Sequence, residues 1–184
     1  VLVILGVAAM EGWRYWQLKQ SEAAGDSFFA AAQLAADGKA EDAVKQFEAI
    51  SKTGFADLAR LRAATELAAK GKADEAVKLY DAVAADAAVD ATLRDLARIR
   101  AAALLADTAS FADIETRLKG FDTPDNPWRH MAREIMASVQ FRLKDWQGAD
   151  KLVQSIIGDA TTPPALRQRA QTMAQLLQPL VTAQ

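Results

Sequence analysis

Apolar residues are distributed in two ways along this chain. Val1 to Met10 form an uncharged run that includes Leu2, Val3, Ile4, Leu5 and Val7. Further on, apolar positions recur every three or four residues between polar faces, the spacing of one side of an α-helix. β-Branched residues are scattered and nowhere alternate, so no strand is predicted. The pattern predicts a first helix to about residue 20 or beyond. Further helices follow near 26–37, 40–52, 55–70, 73–85, 91–106, 110–119, 127–143, 146–157 and 163–178. Asn126-Pro127 and Thr162-Pro163-Pro164 read as caps with proline in the first turn, and Thr92 with Asp95 as a capping box. The last helix carries Leu166, Ala170, Met173, Leu176 and Leu177 on one stripe, is expected to cap the final repeat or, alternatively, to meet a partner helix, and is expected to end at Pro179.

The first run is followed by Glu11-Gly12-Trp13-Arg14-Tyr15-Trp16. Ten helical residues at 1.5 Å each cover about half of a ~30 Å bilayer core. Trp13, Tyr15 and Trp16 suit a membrane–water interface, where an aromatic ring meets headgroups. The expectation is that residues 1–20 are the exit end of a transmembrane anchor whose first part lies upstream, and that 21–184 form a helical repeat domain. Two other readings of the run are a buried core helix and the tail of a secretory signal cut near Val7-Ala8-Ala9. Arg14 and Lys19 are offset by Glu11 and Glu22, so the flanking charges set no orientation.

The repeat is visible at an offset of 33. Residues 35–47, AADGKAEDAVKQF, align with residues 68–80, AAKGKADEAVKLY, with eight identities. A period near 34 is that of a helix–turn–helix repeat. Gly38 and Gly71 suit the left-handed residue that ends a helix. Glu41-Asp42 and Asp74-Glu75 suit the positive end of the next helix dipole. Ala43 and Ala76 are small where two helices approach, and Phe47 and Tyr80 fill the space between hairpins. A further unit aligns at an offset of 73 from the second: Lys144 to Val153, with Ala149 at the small position and Trp146 plugging its hairpin. Between them lies a degraded unit, Thr92 to Leu118.

Composition narrows the chemistry. The formal charge is −2, so no basic field gathers nucleic acid. There is no cysteine and only one histidine, His130, which leaves no set of ligands for a metal. No phosphate loop, nucleophile elbow or zinc-protease motif occurs, and no cofactor site is expected. The chain is not expected to be an enzyme. Arg60, Arg62, Arg94, Arg98, Arg100, Arg129, Arg133 and Arg142 lie on the first helices of hairpins, which line the concave face of such stacks. Arg94, Arg98, Arg129 and Arg133, with Trp128, are the candidate partner-binding residues, since a guanidinium fork can clamp a carboxylate. The competing reading is local pairing, such as Asp90 with Arg94. For Trp128 it is packing into the core.

Ala31, Leu34, Gly38, Ala43 and Phe47, and then Ala64, Leu67, Gly71, Ala76 and Tyr80, resemble the tetratricopeptide repeat. This implies an all-α solenoid of about four degenerate helical hairpins with a capping helix. A short, alanine-rich array after one transmembrane helix resembles the YfgM-like family. That resemblance implies a bacterial inner-membrane protein, single-pass, with its repeats in the periplasm, serving as an ancillary subunit of the Sec translocon and meeting chaperones. It implies protein partners and brings no catalytic residues. Two other functions fit the pattern: an accessory subunit of another membrane complex such as a respiratory enzyme, and a soluble peptide- or ligand-binding repeat domain.

Overall fold

The structure, a computed structural model, describes residues 2–50 and 54–182. Among them every regular element is a helix: α1 (Leu2–Ala36), α2 (Ala40–Ala49), α3 (Ala56–Ala69), α4 (Ala73–Ala85), α5 (Ala91–Leu105), α6 (Phe111–Arg117), α7 (Arg129–Arg142), α8 (Trp146–Gly158) and α9 (Pro164–Thr182). The expected all-α hairpin repeat is therefore present. The predicted end of α2 at residue 52 falls outside the described residues.

The expected transmembrane helix is corrected. No described helix is long and apolar enough to cross a membrane. The reason lies in α1, a single helix of 35 residues. Its uncharged stretch stops at Glu11, and Arg14, Lys19, Glu22 and Asp26 follow at helical intervals. A bilayer core needs about 20 consecutive apolar residues, and each charge within it costs several kcal/mol. The single-pass inner-membrane placement with periplasmic repeats, which rested on that helix, is corrected with it. The helix predicted at 26–37 is the second half of α1, continuous with the first.

The helices group into two units, residues 1–97 and 98–184, with the boundary inside α5. In the first unit α1 packs on α2, α2 on α3, and α3 on α4. Its core joins Ala24, Ala31, Ala43, Phe47, Ala59 and Ala63, flanked by Phe28 and Phe55. Phe28 meets Phe47 edge-on at 5.2 Å between centroids. Ala43, Ala59 and Ala63 have no exposed surface, so the backbones come close and the aromatics fill the gaps between hairpins. Tyr80 is buried with its hydroxyl 2.9 Å from Thr65 Oγ1.

In the second unit α7 packs on α6, α8 and α9, and α8 packs on α9. One cluster joins Ile99, Ile114, Leu118, Phe121, Ile135 and Val139. Another joins Ala137, Ala149, Val153, Ile156, Ala170 and Leu177. Trp146 lies edge-on to Phe141 at 5.2 Å, plugging its hairpin as expected.

The helix ends explain the repeat. Gly38 and Gly71 have φ of +78° and +76°. At each, the following amide N–H turns back to a carbonyl five residues earlier, Lys39 to Leu34 and Lys72 to Leu67. This closes the α-helix and opens the next one. Lys39 and Lys72 supply no side-chain cap, so the acidic first turns of α2 and α4 meet the helix dipole instead. Three predicted boundaries shift. Asp90, not Thr92, accepts the first free amide of α5. Trp128 stands at the N-cap of α7, while Asn126 accepts the Trp128 N–H. Helix α9 runs through Pro179 to Thr182.

Candidate functional site

The 73-residue offset extends well past the hairpin. Asp86 and Asp159 follow the last residues of α4 and α8 and form the same turn. The Oδ1 of each accepts an amide N–H two residues on, from Ala88 at 3.0 Å and Thr161 at 2.9 Å. The backbone oxygen of each accepts from the third residue, Val89 or Thr162. Each turn also faces an arginine at equivalent spacing, Arg94 on α5 and Arg167 on α9. The Nε of both is buried without a hydrogen-bond partner.

This duplicated turn engages Arg60 and Arg94 in the first unit and Arg129 and Arg167 in the second. In the first unit the Arg60 guanidinium bridges Asp57 at 2.6 Å and Asp86 at 3.0 Å. The Ala88 amide, then the Arg60 guanidinium, hold the Asp86 carboxyl below its ordinary range, and the Arg94 charge adds to this. Asp90 is held down chiefly by the Thr92 backbone and hydroxyl. Arg94 therefore sits half-buried beside two carboxylates of its own unit.

In the second unit Arg129 Nε donates to Asp159 Oδ2 at 3.0 Å, and its fork also reaches the Thr161 hydroxyl. Arg167 donates to the Asp159 backbone oxygen at 2.8 Å. The Thr161 hydroxyl and amide, then Arg129, press the Asp159 carboxyl far below the usual carboxylate range. His130, 4 % exposed, lies under this turn. The Thr162 hydroxyl donates to the Ile156 carbonyl at 2.7 Å, so at 3.1 Å it must accept from His130 Nδ1. The neutral ring thus carries its proton on Nδ1 and turns its Nε2 lone pair toward Thr161 and Asp159, at 3.4 and 3.8 Å. Burial lowers the histidine pKa, and the Arg129 charge lowers it further; Asp159 opposes them.

The remaining candidates are placed as follows. Arg133 Nε donates to Asp122 Oδ1 at 2.6 Å. Arg142 donates to the Ala106 carbonyl at 2.9 Å and to that of Ala109, just past the end of α5. Arg62 pairs with the mostly buried Glu66 at 2.9 Å. Trp128 is half-buried against the core of α5, α6 and α7. Arg98 stands exposed on α5. Arg94, Arg129 and Arg133 each face carboxylates of their own unit. The spacing that signals the turn, Asp86 to Arg94 and Asp159 to Arg167, was available in the sequence at the same 73-residue offset.

Trp13, Tyr15 and Trp16 are 60, 64 and 48 % exposed on α1. Their reading as a membrane-interface belt depended on a spanning helix. Trp16 also edges an open groove of about 790 Å³ that continues along α1 past Ala24 to Ser27, with Ala49 and Ile50 of the α2 end opposite. None of the five candidate residues lines it. Among the described residues no group of three or more His, Asp or Glu could hold a metal.

Comparison with known proteins agrees with the repeat. The profile of the tetratricopeptide repeat-like domain matches residues 1–136. No curated protein and no solved structure matches the chain.

Proposed function

The chain belongs to the tetratricopeptide repeat-like domain family, and from that premise we propose that it is a non-catalytic protein–protein interaction module, an ancillary or scaffold subunit of a larger assembly. The family match carries this reading, because tetratricopeptide repeat-like domains commonly bind protein partners. Stacked hairpins suit such a role, since they present long helix faces on a framework that each repeat stabilises locally. The exposed aromatics of α1 supply the kind of side chain that anchors protein interfaces. Resemblance to the YfgM-like family gives the finer proposal, an ancillary role at the Sec translocon beside chaperones.

The test is cross-linking in cells of origin with a C-terminal tag, followed by purification and quantitative mass spectrometry. Recovery of the translocon core subunits in stoichiometric amount supports the finer reading. Recovery of a different complete assembly keeps the scaffold role and replaces the partner. Recovery of the chain with no stoichiometric protein overturns the scaffold role.

A further inference from the structure

Helix α1 differs from the helices that follow it in being covered along only part of its length. Every residue from Ala9 to Ala23 is exposed, and Ala24, the next, is buried against the hairpins. At about 3.6 residues per turn the exposed part has two halves. Glu11, Arg14, Lys19, Glu22 and Asp26 share one. Ala9, Trp13, Trp16, Gln20 and Ala23 share the other, and that half continues directly into the face where Ala24 and Ala31 pack in the α1–α2 core. The uncharged half of the exposed segment thus continues the α1–α2 packing face beyond the hairpins. The groove of about 790 Å³ lies where the two meet, and among the described residues no charged one lines it.

We propose that this face is covered by the α1 of a second copy of the chain, lying antiparallel, with the two-fold axis near Leu18. Residue sizes select this arrangement. With the axis there, Trp13 of one copy lies opposite Ala23 of the other, Trp16 opposite Gln20, and Ala9 opposite Ser27. Each Trp13 then enters the partner's groove, against Ala23 and the Ala49–Ile50 wall. A parallel pair in register sets tryptophan on tryptophan and leaves both grooves empty. The contact is isologous and closes on itself, as a two-fold dimer requires. It keeps the five charged residues of each α1 in water, where an ion needs no compensation. The exposed halves of the four tryptophans remove roughly 400 Å² from water, about a third of the ~1,200 Å² of a small specific interface. The aligned small residues and the groove walls add to this area. Such a dimer exists in addition to any foreign partner and does not depend on one.

The absence of native cysteine makes the geometry directly readable. Sedimentation equilibrium of the whole chain is expected to show a monomer–dimer equilibrium. Trp13→Ala is expected to weaken it about tenfold or more, as loss of a central aromatic anchor does. Phe29→Ala, on the charged half, is expected to leave it unchanged. Neither position lies in the core, and thermal melts confirm that the variants fold. With a short bis-maleimide, Gln20→Cys is expected to link efficiently, since antiparallel copies place the two thiols about 6 Å apart along the axis. Ala9→Cys is expected not to link, its thiols being about 27 Å apart. A monomer at every concentration overturns the proposal, whether another protein or lipid then covers the face. Linking through Ala9→Cys, or a dimer indifferent to Trp13→Ala, overturns it equally.

Discussion

Lys144 occupies in the second unit the place that Gly71 occupies in the first. Both have positive φ, +63° and +76°, and the next residue's amide closes the same bond, Asp145 to Gln140 and Lys72 to Leu67. The fold needs a left-handed residue there to end the helix. Glycine adopts that conformation without strain and lysine does not. Lys144→Gly is therefore expected to stabilise the chain by about 0.5–1 kcal/mol, and Gly71→Lys to destabilise it by about 1–2 kcal/mol. Urea unfolding followed by circular dichroism checks both.

Ala76 and Ala149 sit at the close approach of the two helices in their hairpins, each with no exposed surface. A larger side chain has nowhere to go without parting the helices. Ala149→Leu is expected to cost about 1–3 kcal/mol despite adding apolar surface. An unfolding midpoint that stays at the parental value argues against close packing here.

His130 is the only histidine, so pH dependence near neutrality reports on one buried ring. Its folded pKa is lowered from 6.5. The unfolded chain therefore takes up a proton that the folded chain resists, and stability falls as pH drops below about 6.5. Arg129, Arg133 and Arg167 surround the ring with positive charge; Asp159 is the counterweight. Stability is expected to decline from pH 7 to 5.5 in the parent. It is expected to be flat over that range in His130→Asn, whose amide can still donate to Thr162. Equal slopes in parent and variant would remove His130 as the cause.

Asp86 and Asp159 act in a lower window. Their carboxyls are held below the ordinary value of 3.8, so the stability they confer is complete above about pH 4 and is lost on further acidification. Asp159→Asn is expected to lower the thermal midpoint at pH 7 and to blunt the acid transition. Asp86→Asn is expected to act the same way through Arg60. Protease nicking between Gly158 and Pro163 offers an independent readout, because Asp159 ties that turn to α7 and α9.

Much of the fold was legible because its signals are local. Gly38 and Gly71, the acidic first turns and the buried alanines each report their own surroundings, and helix periodicity does the rest. Boundaries failed where a side chain had a better partner elsewhere. Thr162 bonds His130 and the Ile156 carbonyl instead of capping α9, and Asp90 takes the role expected of Thr92. The arginine pairings were not legible for a similar reason: a helical face tells which way Arg129 points, not that Asp159, thirty residues on, is waiting there. The anchor expectation gave way because no described helix is long and apolar enough to cross a membrane, and charges recur along α1 from Glu11 onward.

The unbroken run of α1 from its exposed aromatics into the hairpin core has a mechanical consequence. Trp13 lies eleven residues before Ala24, about 16 Å along one hydrogen-bonded rod. Anything that grips the chain at Trp13 therefore holds it on a strut and not on a leash. A flexible tether would let the repeats sweep a volume and would set contacts by effective concentration. A stiff strut instead fixes their bearing and transmits torque directly to the packing of α1 on α2.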